Sequence, residues 1–246
     1  MALNDPADPG QGCVFLIPRR RFGARAVYGW KLAAAIRPLR PLDSLEMIVT
    51  LRRIAPFTAV DVPRLRDLWR LGRRVEEERI PGALVQCGVW RGGSAAVAAR
   101  ASRTRDVWLF DSFEGFPAPG ERDADGAVIQ RGDRLAAPSD VIEAMRRVRA
   151  EARAHVVRGW FDDTLPTVAD RIGPIALLSL DADLYDSTRT ALRHLYDLVV
   201  SGGFVVVDDY GFWPGCRRAV DEFLDQRGER VRMHRSDATG VWFQKS

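Results

Sequence analysis

Closely spaced aspartates occur at two points of the chain and are its strongest candidates for a chemical role. Asp181 and Asp183 are separated by one alanine, and Asp208 and Asp209 are adjacent; each pair directly follows an apolar run. Carboxylates held close together repel one another and lose solvation, so at least one must protonate unless a cation lies between them. An oxygen ligand set without Cys or His favours Mg²⁺, Mn²⁺ or Ca²⁺ over zinc. The sequence therefore predicts a divalent-cation site.

A glycine-rich turn and a later aspartate indicate a nucleoside cofactor. The turn is residues 88–94, Gly-Val-Trp-Arg-Gly-Gly-Ser, whose small residues let backbone amides and a helix start approach a ligand. Asp111 stands 23 positions after Gly88, about where an acidic side chain accepts both ribose hydroxyls. This spacing fits a dinucleotide or S-adenosylmethionine. The turn lacks the Gly-x-Gly-x-x-Gly arrangement that a pyrophosphate needs, which favours S-adenosylmethionine and a methyltransferase over a dehydrogenase.

Alternating apolar runs and helical patterns supply the elements that must position these residues. Strands are predicted at 83–89, 107–110, 155–157, 175–180 and 204–207. Helices are predicted at 63–79, 94–102, 140–150, 187–200 and 216–226. Apolar strands separated by helices imply a mostly parallel, doubly wound α/β sheet covered on both faces. Segments 230–234 and 240–243 add an antiparallel C-terminal hairpin. Ligands bind at the carboxyl ends of such strands, where both aspartate pairs and the glycine turn fall.

Composition divides the chain and excludes several classes of protein. Residues 1–60 read as a basic, helical and partly flexible N-terminal arm, and 61–246 as the catalytic domain. Because 35 of the 37 basic residues are arginine, the net charge of +4 reflects residue usage and does not indicate a nucleic-acid partner. Three widely spaced cysteines fit a reducing cytoplasm. No window of about 18 apolar residues lacks a charge, so no membrane association is expected.

Several long motifs, in the same order, resemble the macrocin and mycinamicin sugar O-methyltransferases, a family that includes the noviose O-methyltransferase of aminocoumarin biosynthesis. The resemblance runs from about residue 57 to residue 245. The motifs are residues 87–94, 111–117 (Asp-Ser-Phe-Glu-Gly-Phe-Pro), 159–161 with 163–166 (Gly-Trp-Phe and Asp-Thr-Leu-Pro), 180–185 (Leu-Asp-Ala-Asp-Leu-Tyr) and 208–210 (Asp-Asp-Tyr).

The resemblance implies a class I, Rossmann-like methyltransferase fold with S-adenosylmethionine as cofactor and Mg²⁺ as metal. By resemblance, Asp181, Asp208 and Asp209 hold the metal, which also ligates acceptor hydroxyls, and Asp183 is the general base. The cofactor-binding residues carried over are Gln86, Gly88, Arg91, Gly92, Ser94, Asp111, Ser112, Phe113, Trp160 and Asp181. The expected partner is a sugar acceptor on a small molecule or oligosaccharide, and the arm is expected to help form a homodimer and cover the acceptor site.

Three positions depart from the family pattern. Gln86 stands where Glu is usual, and residues 57–59, Phe-Thr-Ala, replace Tyr-Thr-Met. Ala238 occupies a position where Trp is common. The last two lie in segments expected to face the acceptor or the sheet edge, so the acceptor is left open between a glycosylated antibiotic and a cellular oligosaccharide.

Alternative functions also use paired aspartates. A haloacid dehalogenase-like phosphatase fits Asp181-x-Asp183 as an aspartyl nucleophile with Mg²⁺, but no lysine lies between the two acidic segments. A metal-dependent glycosyltransferase leaves the glycine turn and Asp111 without a role, and a non-catalytic scaffold leaves the acidic set without one. His155, predicted to begin a buried strand, and His194, predicted mid-helix, are interpreted as structural.

Overall fold

A computed structural model describes residues 41–123 and 130–246 of the chain. Most of the predicted N-terminal arm, residues 1–40, therefore lies outside the described residues. The last part of the arm is described. Helix α1, Pro41–Ile54, and the 3₁₀ turn Ala55–Phe57 pack into the core of the domain through buried residues such as Met47, Ile54 and Phe57.

Seven strands of the described chain form one sheet in the order β3-β2-β1-β4-β5-β7-β6. Their bounds are β1 Ala83–Cys87, β2 Val107–Asp111, β3 Ala154–Arg158, β4 Ile175–Leu180, β5 Val199–Val207, β6 His234–Arg235 and β7 Val241–Gln244. Strands β1 to β5 are parallel, whereas β7 runs antiparallel to both β5 and β6. The predicted α/β sheet with an antiparallel C-terminal edge is confirmed.

Helices cover both faces of this sheet. After α1, the described helices are α2 Val62–Glu77, α3 Gly93–Ser102, α4 Pro138–Arg147, α5 Phe161–Ile172, α6 Tyr185–Leu195 and α7 Pro214–Gln226. Helices α1 to α4 bury apolar side chains in one hydrophobic cluster, and α5 to α7 do so in a second. Neighbouring strand residues alternate between the clusters: Leu84 belongs to the first and Val85 to the second. This is the alternation that a doubly covered sheet requires.

The helix predicted at 187–200 is wrong at its C-terminal end. Helix α6 stops at Leu195, Tyr196–Leu198 form a 3₁₀ turn, and β5 begins at Val199 instead of 204. Gly202 and Gly203 interrupt the apolar run in the sequence, which hides the first half of the strand. Ile175 of β4 pairs with Val199 and Leu177 pairs with Phe204, so both glycines lie in an irregular, bulged part of β5.

Helix α5 has no counterpart among the helices predicted from the sequence. Pro166 lies inside it, and proline normally argues against a helix because it lacks an N–H and clashes with the preceding turn. Packing overrides this local preference. Leu165, Val168 and Ile172 recur at helical spacing and are buried against the second cluster.

The two histidines differ from their predicted settings. His155 lies on β3, the outer strand of the sheet, and is exposed, so the expectation of a buried strand is wrong there. Its ring stacks on Trp108 with the centroids 4.5 Å apart. His194 lies next to the C-terminal residue of α6 instead of mid-helix. No helix in the described ranges is both long and apolar enough to cross a bilayer.

Candidate active site

The four central strands bring the predicted chemical groups to one edge of the sheet. The order β2-β1-β4-β5 places the segments after these strands side by side. Backbone hydrogen bonds continue past the strand ends: the Gly88 N–H donates to the Phe110 carbonyl (2.8 Å), that of Asp181 to Cys87 (2.9 Å), and that of Asp208 to Leu180 (2.9 Å). The sheet's hydrogen bonding therefore extends to the first residue beyond β1, β4 and β5.

Gly88 is required by the close approach of two of these segments. Its φ is +79°, and a Cβ atom at this position would lie 1.9 Å from the Asp181 carbonyl oxygen. Only glycine satisfies both conditions. Gly92, also at positive φ (+86°), immediately precedes α3, so the predicted turn leads into a helix start beside the sheet edge.

Asp111 is hydrogen-bonded by the backbone around the turn. Its Oδ2 accepts the N–H groups of Val89 (2.9 Å) and Trp90 (2.8 Å), and its Oδ1 accepts that of Phe113 (2.8 Å). Burial raises the pKa of the Asp111 carboxyl above its ordinary value, and the three hydrogen bonds oppose that effect. A carboxylate offers about four acceptor positions, and three are used here, so Asp111 retains about one for a hydroxyl donor of a ligand.

Ser112 and Phe113 shape the loop that leaves β2. The Ser112 hydroxyl accepts the N–H of Glu114 (3.1 Å) and donates to the Gly115 carbonyl (3.3 Å). Phe113 is buried with φ of +57°. Trp160 lies at the same end of the sheet, because the N–H of the preceding Gly159 donates to the Asp111 carbonyl (2.9 Å).

Gln86 braces the glycine turn from within. It is buried, and its Nε2 donates to the Ser94 hydroxyl (2.8 Å) and to the Gly88 carbonyl (3.0 Å). An amide provides both hydrogen bonds at any pH, whereas an ionised glutamate at this position would be acceptor-only. Gln86 therefore supplies the turn with two hydrogen bonds that an ionised glutamate could not donate.

Arg91 is engaged by other parts of the protein. Its Nε and Nη2 donate to the two carboxylate oxygens of Asp140 on α4 (3.1 and 3.2 Å), and its Nη1 donates to the Pro56 carbonyl (2.9 Å). Hydrogen bonding to Arg91 lowers the pKa of Asp140. Arg91 therefore fastens the turn to α4 and to the segment after α1.

The acidic centre consists of Asp181, Asp208 and Asp209. One carboxylate oxygen from each lies within 4.8 Å of the other two. Asp208 and Asp209 are buried, and Asp181 is partly buried. The two neighbours can both face this point because β5 ends at Val207 and the chain turns there, which removes the strict alternation of a strand.

Electrostatics in the acidic centre are unfavourable without a cation. Burial, followed by repulsion from neighbouring carboxylates, raises the pKa of all three aspartates well above its usual range. Oδ2 of Asp209 is buried and has no hydrogen-bond partner among the described residues. Leaving such an atom unpaired is costly. Three converging carboxylates with an unpaired oxygen therefore fit a divalent cation of the Mg²⁺ type.

Arg64 is a member of the centre that sequence reasoning missed. From α2, its Nη1 donates to Oδ2 of Asp208 and its Nε to Oδ2 of Asp237 (3.0 Å). Its side chain is only 12% exposed. Burial alone would lower the pKa of the guanidinium, but the attraction of the surrounding carboxylates raises it. No local signal marks this arginine, because Asp208 lies 144 positions away.

Asp183 lies beside the centre and is held by an aromatic side chain. Its Oδ1 accepts a hydrogen bond from Nε1 of Trp213 (2.8 Å). Its backbone is left-handed, with φ of +59°. Burial and then the charge of Asp181 raise the pKa of Asp183, while the Trp213 hydrogen bond and Arg134 lower it. The carboxylate is thus close to the three grouped aspartates without belonging to their set.

Comparison with known proteins places this arrangement in context. A family model described as macrocin-O-methyltransferase (TylF) matches residues 53–245. The chain is 36% identical over 202 residues to the demethyldecarbamoylnovobiocin O-methyltransferase of Streptomyces niveus, covering 77% of this chain and 76% of that protein. It is 31% identical over 202 residues to the mycinamicin III 3''-O-methyltransferase of Micromonospora griseorubida, covering 77% and 78%.

Solved structures share the same architecture. The O-methyltransferase NovP superposes with a TM-score of 0.74 at 30% identity, covering 83% of this chain and 99% of that chain. The calicheamicin methyltransferase CalS11 gives a TM-score of 0.66 at 20% identity, covering 97% and 99%, a likeness that bears on the fold alone.

Proposed function

The chain belongs to the macrocin-O-methyltransferase family, whose members are S-adenosylmethionine-dependent O-methyltransferases, and we propose that it methylates a sugar hydroxyl with the help of Mg²⁺. The observation that carries the metal-dependent part is the acidic centre, with its unpaired buried oxygen on Asp209. The phosphatase, glycosyltransferase and scaffold alternatives are abandoned because the family is one of methyltransferases.

Residues at and beyond the C-terminal ends of β1, β2 and β3 are proposed to bind the cofactor. Asp111 accepts a ribose hydroxyl, and the turn from Gly88 to Ser94, braced by Gln86, faces the methionine end. Ser112, Phe113 and Trp160 surround the adenosine. When bound, S-adenosylmethionine supplies a methyl group on a cationic sulfonium. The short, rigid turn allows close approach of the backbone, and a fixed cofactor orientation is what methyl transfer requires most.

The acidic centre and Asp183 are proposed to prepare the acceptor. Asp181, Asp208 and Asp209 are the residues that would hold Mg²⁺; a bound divalent cation lowers the pKa of an acceptor hydroxyl that it ligates. Asp183 then removes the proton from the attacking hydroxyl, as a general base. Its proximity to the three grouped aspartates, without membership of their set, supports this division of roles.

Acceptor choice is proposed to depend on two segments, one packed on the start of α3 and one in the β6–β7 turn. Residues 57–59 precede α2, and their backbone packs on the start of α3: a Cβ atom on Gly93 would lie 2.6 Å from the Phe57 carbonyl oxygen. Ala238 lies in the β6–β7 turn, against Gly211. Arg64 connects α2 with this turn through Asp237. Relatives named for novobiocin and mycinamicin methylation support a glycosylated natural product as acceptor. The arm is proposed to complete a homodimer and cover this side.

Isothermal titration with S-adenosylhomocysteine, with and without Mg²⁺ and with NAD as control, tests cofactor use. We expect binding of S-adenosylhomocysteine and none of NAD. A methyl-transfer assay then offers demethyldecarbamoylnovobiocin and mycinamicin III as probes, each with Mg²⁺ or with EDTA. Methylation that EDTA abolishes supports the proposal. Methylation that persists fully in EDTA would remove the metal from it, and a folded protein that fails to bind S-adenosylhomocysteine would remove the cofactor assignment.

A further inference from the structure

We infer that Trp213 is a positioning residue for Asp183: its indole N–H fixes one carboxylate oxygen so that the other is presented to the acceptor hydroxyl. The inference rests on the proposed role of Asp183 as base. The contact is a 2.8 Å hydrogen bond from Trp213 Nε1 to Asp183 Oδ1. The described residues provide no second hydrogen bond to this carboxylate.

The chemistry of an indole suits this task. Indole nitrogen is a donor only, and it neither accepts nor gives up a proton near neutral pH. Trp213 therefore cannot protonate Asp183 in place of the substrate hydroxyl, and it cannot act as a base itself. With Oδ1 occupied by this donor, Oδ2 is the oxygen of Asp183 with its lone pairs available, so the hydrogen bond determines which oxygen takes the proton.

The backbone alone does not fix this carboxylate. Asp183 occupies the left-handed region in a tight turn in which the Leu184 N–H donates to the Ala182 carbonyl. This conformation is costly for a residue with a side chain and sets where the Cβ points. It does not set the rotation of the carboxyl group about the side-chain bonds. The hydrogen bond from Trp213 is the contact among the described residues that restrains this rotation.

Trp213 is itself attached to the segment that carries Asp209. Its backbone N–H and that of Phe212 both donate to the Asp209 carbonyl oxygen, each at 3.0 Å. The Phe212 ring packs edge-on against the indole with centroids 4.7 Å apart. Since Asp183 follows β4 and Asp209 follows β5, the indole joins the base to a residue of the acidic centre on the neighbouring strand. These hydrogen bonds tie the position of the base to that of Asp209.

The inference is tested in the full-length enzyme by Trp213→Phe, which keeps an aromatic ring and removes only the donor. We expect kcat to fall about tenfold, less than the roughly 10²–10⁴-fold that loss of the general base itself should cost, because the base is misplaced and not removed. The KM of the acceptor probe that the wild type uses, the affinity for S-adenosylhomocysteine and the affinity for Mn²⁺ should stay within about twofold. Trp242→Phe is the matched control, because Trp242 on β7 stacks on His234 and lies outside the proposed machinery; its kcat should equal that of wild type.

A spectroscopic measurement tests the hydrogen bond without any acceptor. In protein labelled with ¹⁵N at the tryptophan indoles and treated with EDTA, the Trp213 N–H signal is assigned by its loss in Trp213→Phe. Asp183→Ala should move that signal upfield and leave the other indole signals in place. If Trp213→Phe fails to fold, the Asp183→Ala spectrum is compared with all wild-type indole signals, and one displaced signal is expected.

Three results would overturn the inference. The first is a wild-type kcat in Trp213→Phe. The second is a parallel loss of S-adenosylhomocysteine and Mn²⁺ affinity, which would indicate a merely structural role. The third is an Asp183→Ala spectrum in which no indole signal moves. A wild-type protein that methylates nothing would instead refute the proposed function, and the indole spectrum would still decide whether the contact exists.

Discussion

Asp111 ends strand β2 and Asp209 follows strand β5 at the same sheet edge, yet their surroundings are opposite. The Asp111 carboxylate accepts three backbone N–H groups from residues close to it in the fold. The Asp209 carboxylate faces other carboxylates, and its Oδ2 has no hydrogen-bond partner among the described residues. On the cofactor side, the carboxylate therefore has hydrogen-bond donors from the protein's own backbone. In the acidic centre, the hydrogen-bonding capacity and charge of the carboxylates are satisfied only in part.

The difference shows which half of the site depends on a ligand for its stability. A carboxylate bound by backbone donors is hydrogen-bonded even when no ligand is present, and a ligand only adds a further hydrogen bond. Carboxylates that crowd around an unpaired oxygen raise the free energy of the folded state until a cation is present. Arg64 supplies part of the missing charge through Asp208.

The strongest test of the acidic side is Asp183→Asn. The amide cannot take the proton of the acceptor hydroxyl, so turnover should fall by about 10²–10⁴-fold. Binding of S-adenosylhomocysteine and of Mn²⁺ should be unchanged, because Asp183 is outside both proposed sets. Methyl-transfer rates and titration calorimetry measure the two effects. Asp225→Ala, on the exposed side of α7, is the control, and undiminished turnover in Asp183→Asn would remove this residue as base.

Arg64→Met should destabilise the metal-free protein by about 3 kcal/mol, since it leaves buried carboxylates without their counter-charge. Added Mg²⁺ should recover part of that loss. Urea denaturation at pH 7.5 with EDTA or Mg²⁺ measures both. Arg70→Met serves as a matched control on the same helix: Arg70 pairs with Asp67 but is half exposed, and this change should cost less than about 1 kcal/mol. Equal losses in the two variants would contradict a special role for Arg64.

The pH dependence of stability should differ with and without metal. The pKa values of Asp181, Asp208 and Asp209 are raised in the folded protein, so the native state binds more protons than the unfolded state above about pH 4. This contribution to the free energy of unfolding therefore decreases as pH rises. Mg²⁺ should cancel it, so the free energies of unfolding measured with and without Mg²⁺ should diverge as the pH rises from about 5 to about 8. A constant separation over this range would contradict the prediction.

On the cofactor side, Asp111→Asn should have a smaller effect. The amide nitrogen of the new side chain cannot accept the backbone N–H hydrogen bonds that a carboxylate oxygen accepted. The amide also has fewer acceptor positions for ribose hydroxyls. We expect roughly tenfold weaker binding of S-adenosylhomocysteine, about 1.4 kcal/mol, by calorimetry. Asp106→Asn, at an exposed carboxylate, is the control. If Asp111→Asn weakened Mn²⁺ binding as strongly as it weakened cofactor binding, the separation between the two sides would be wrong.

Local sequence patterns predicted the parallel strands and the placement of the acidic groups. Strand ends are marked by the change from apolar runs to Gly or Asp, and parallel strands bring those ends to one edge, so the pattern alone places Asp111, Asp181 and Asp208 together. Failures occurred where packing outweighed local preference. Pro166 concealed helix α5, and Gly202 and Gly203 concealed the start of β5.

By itself, the sequence determined the order of the strands and of the helices other than α5, the sheet edge at which ligands bind, and the excess of carboxylates there. Only the tertiary structure decided how those carboxylates are compensated. Arg64 reaches Asp208 across 144 positions and Trp213 reaches Asp183 across 30, and neither partner carries a local mark of its role. The physical reason is that residue type and strand end are properties of neighbouring positions, whereas charge balance and hydrogen-bond satisfaction depend on every group that folding brings within a few ångströms.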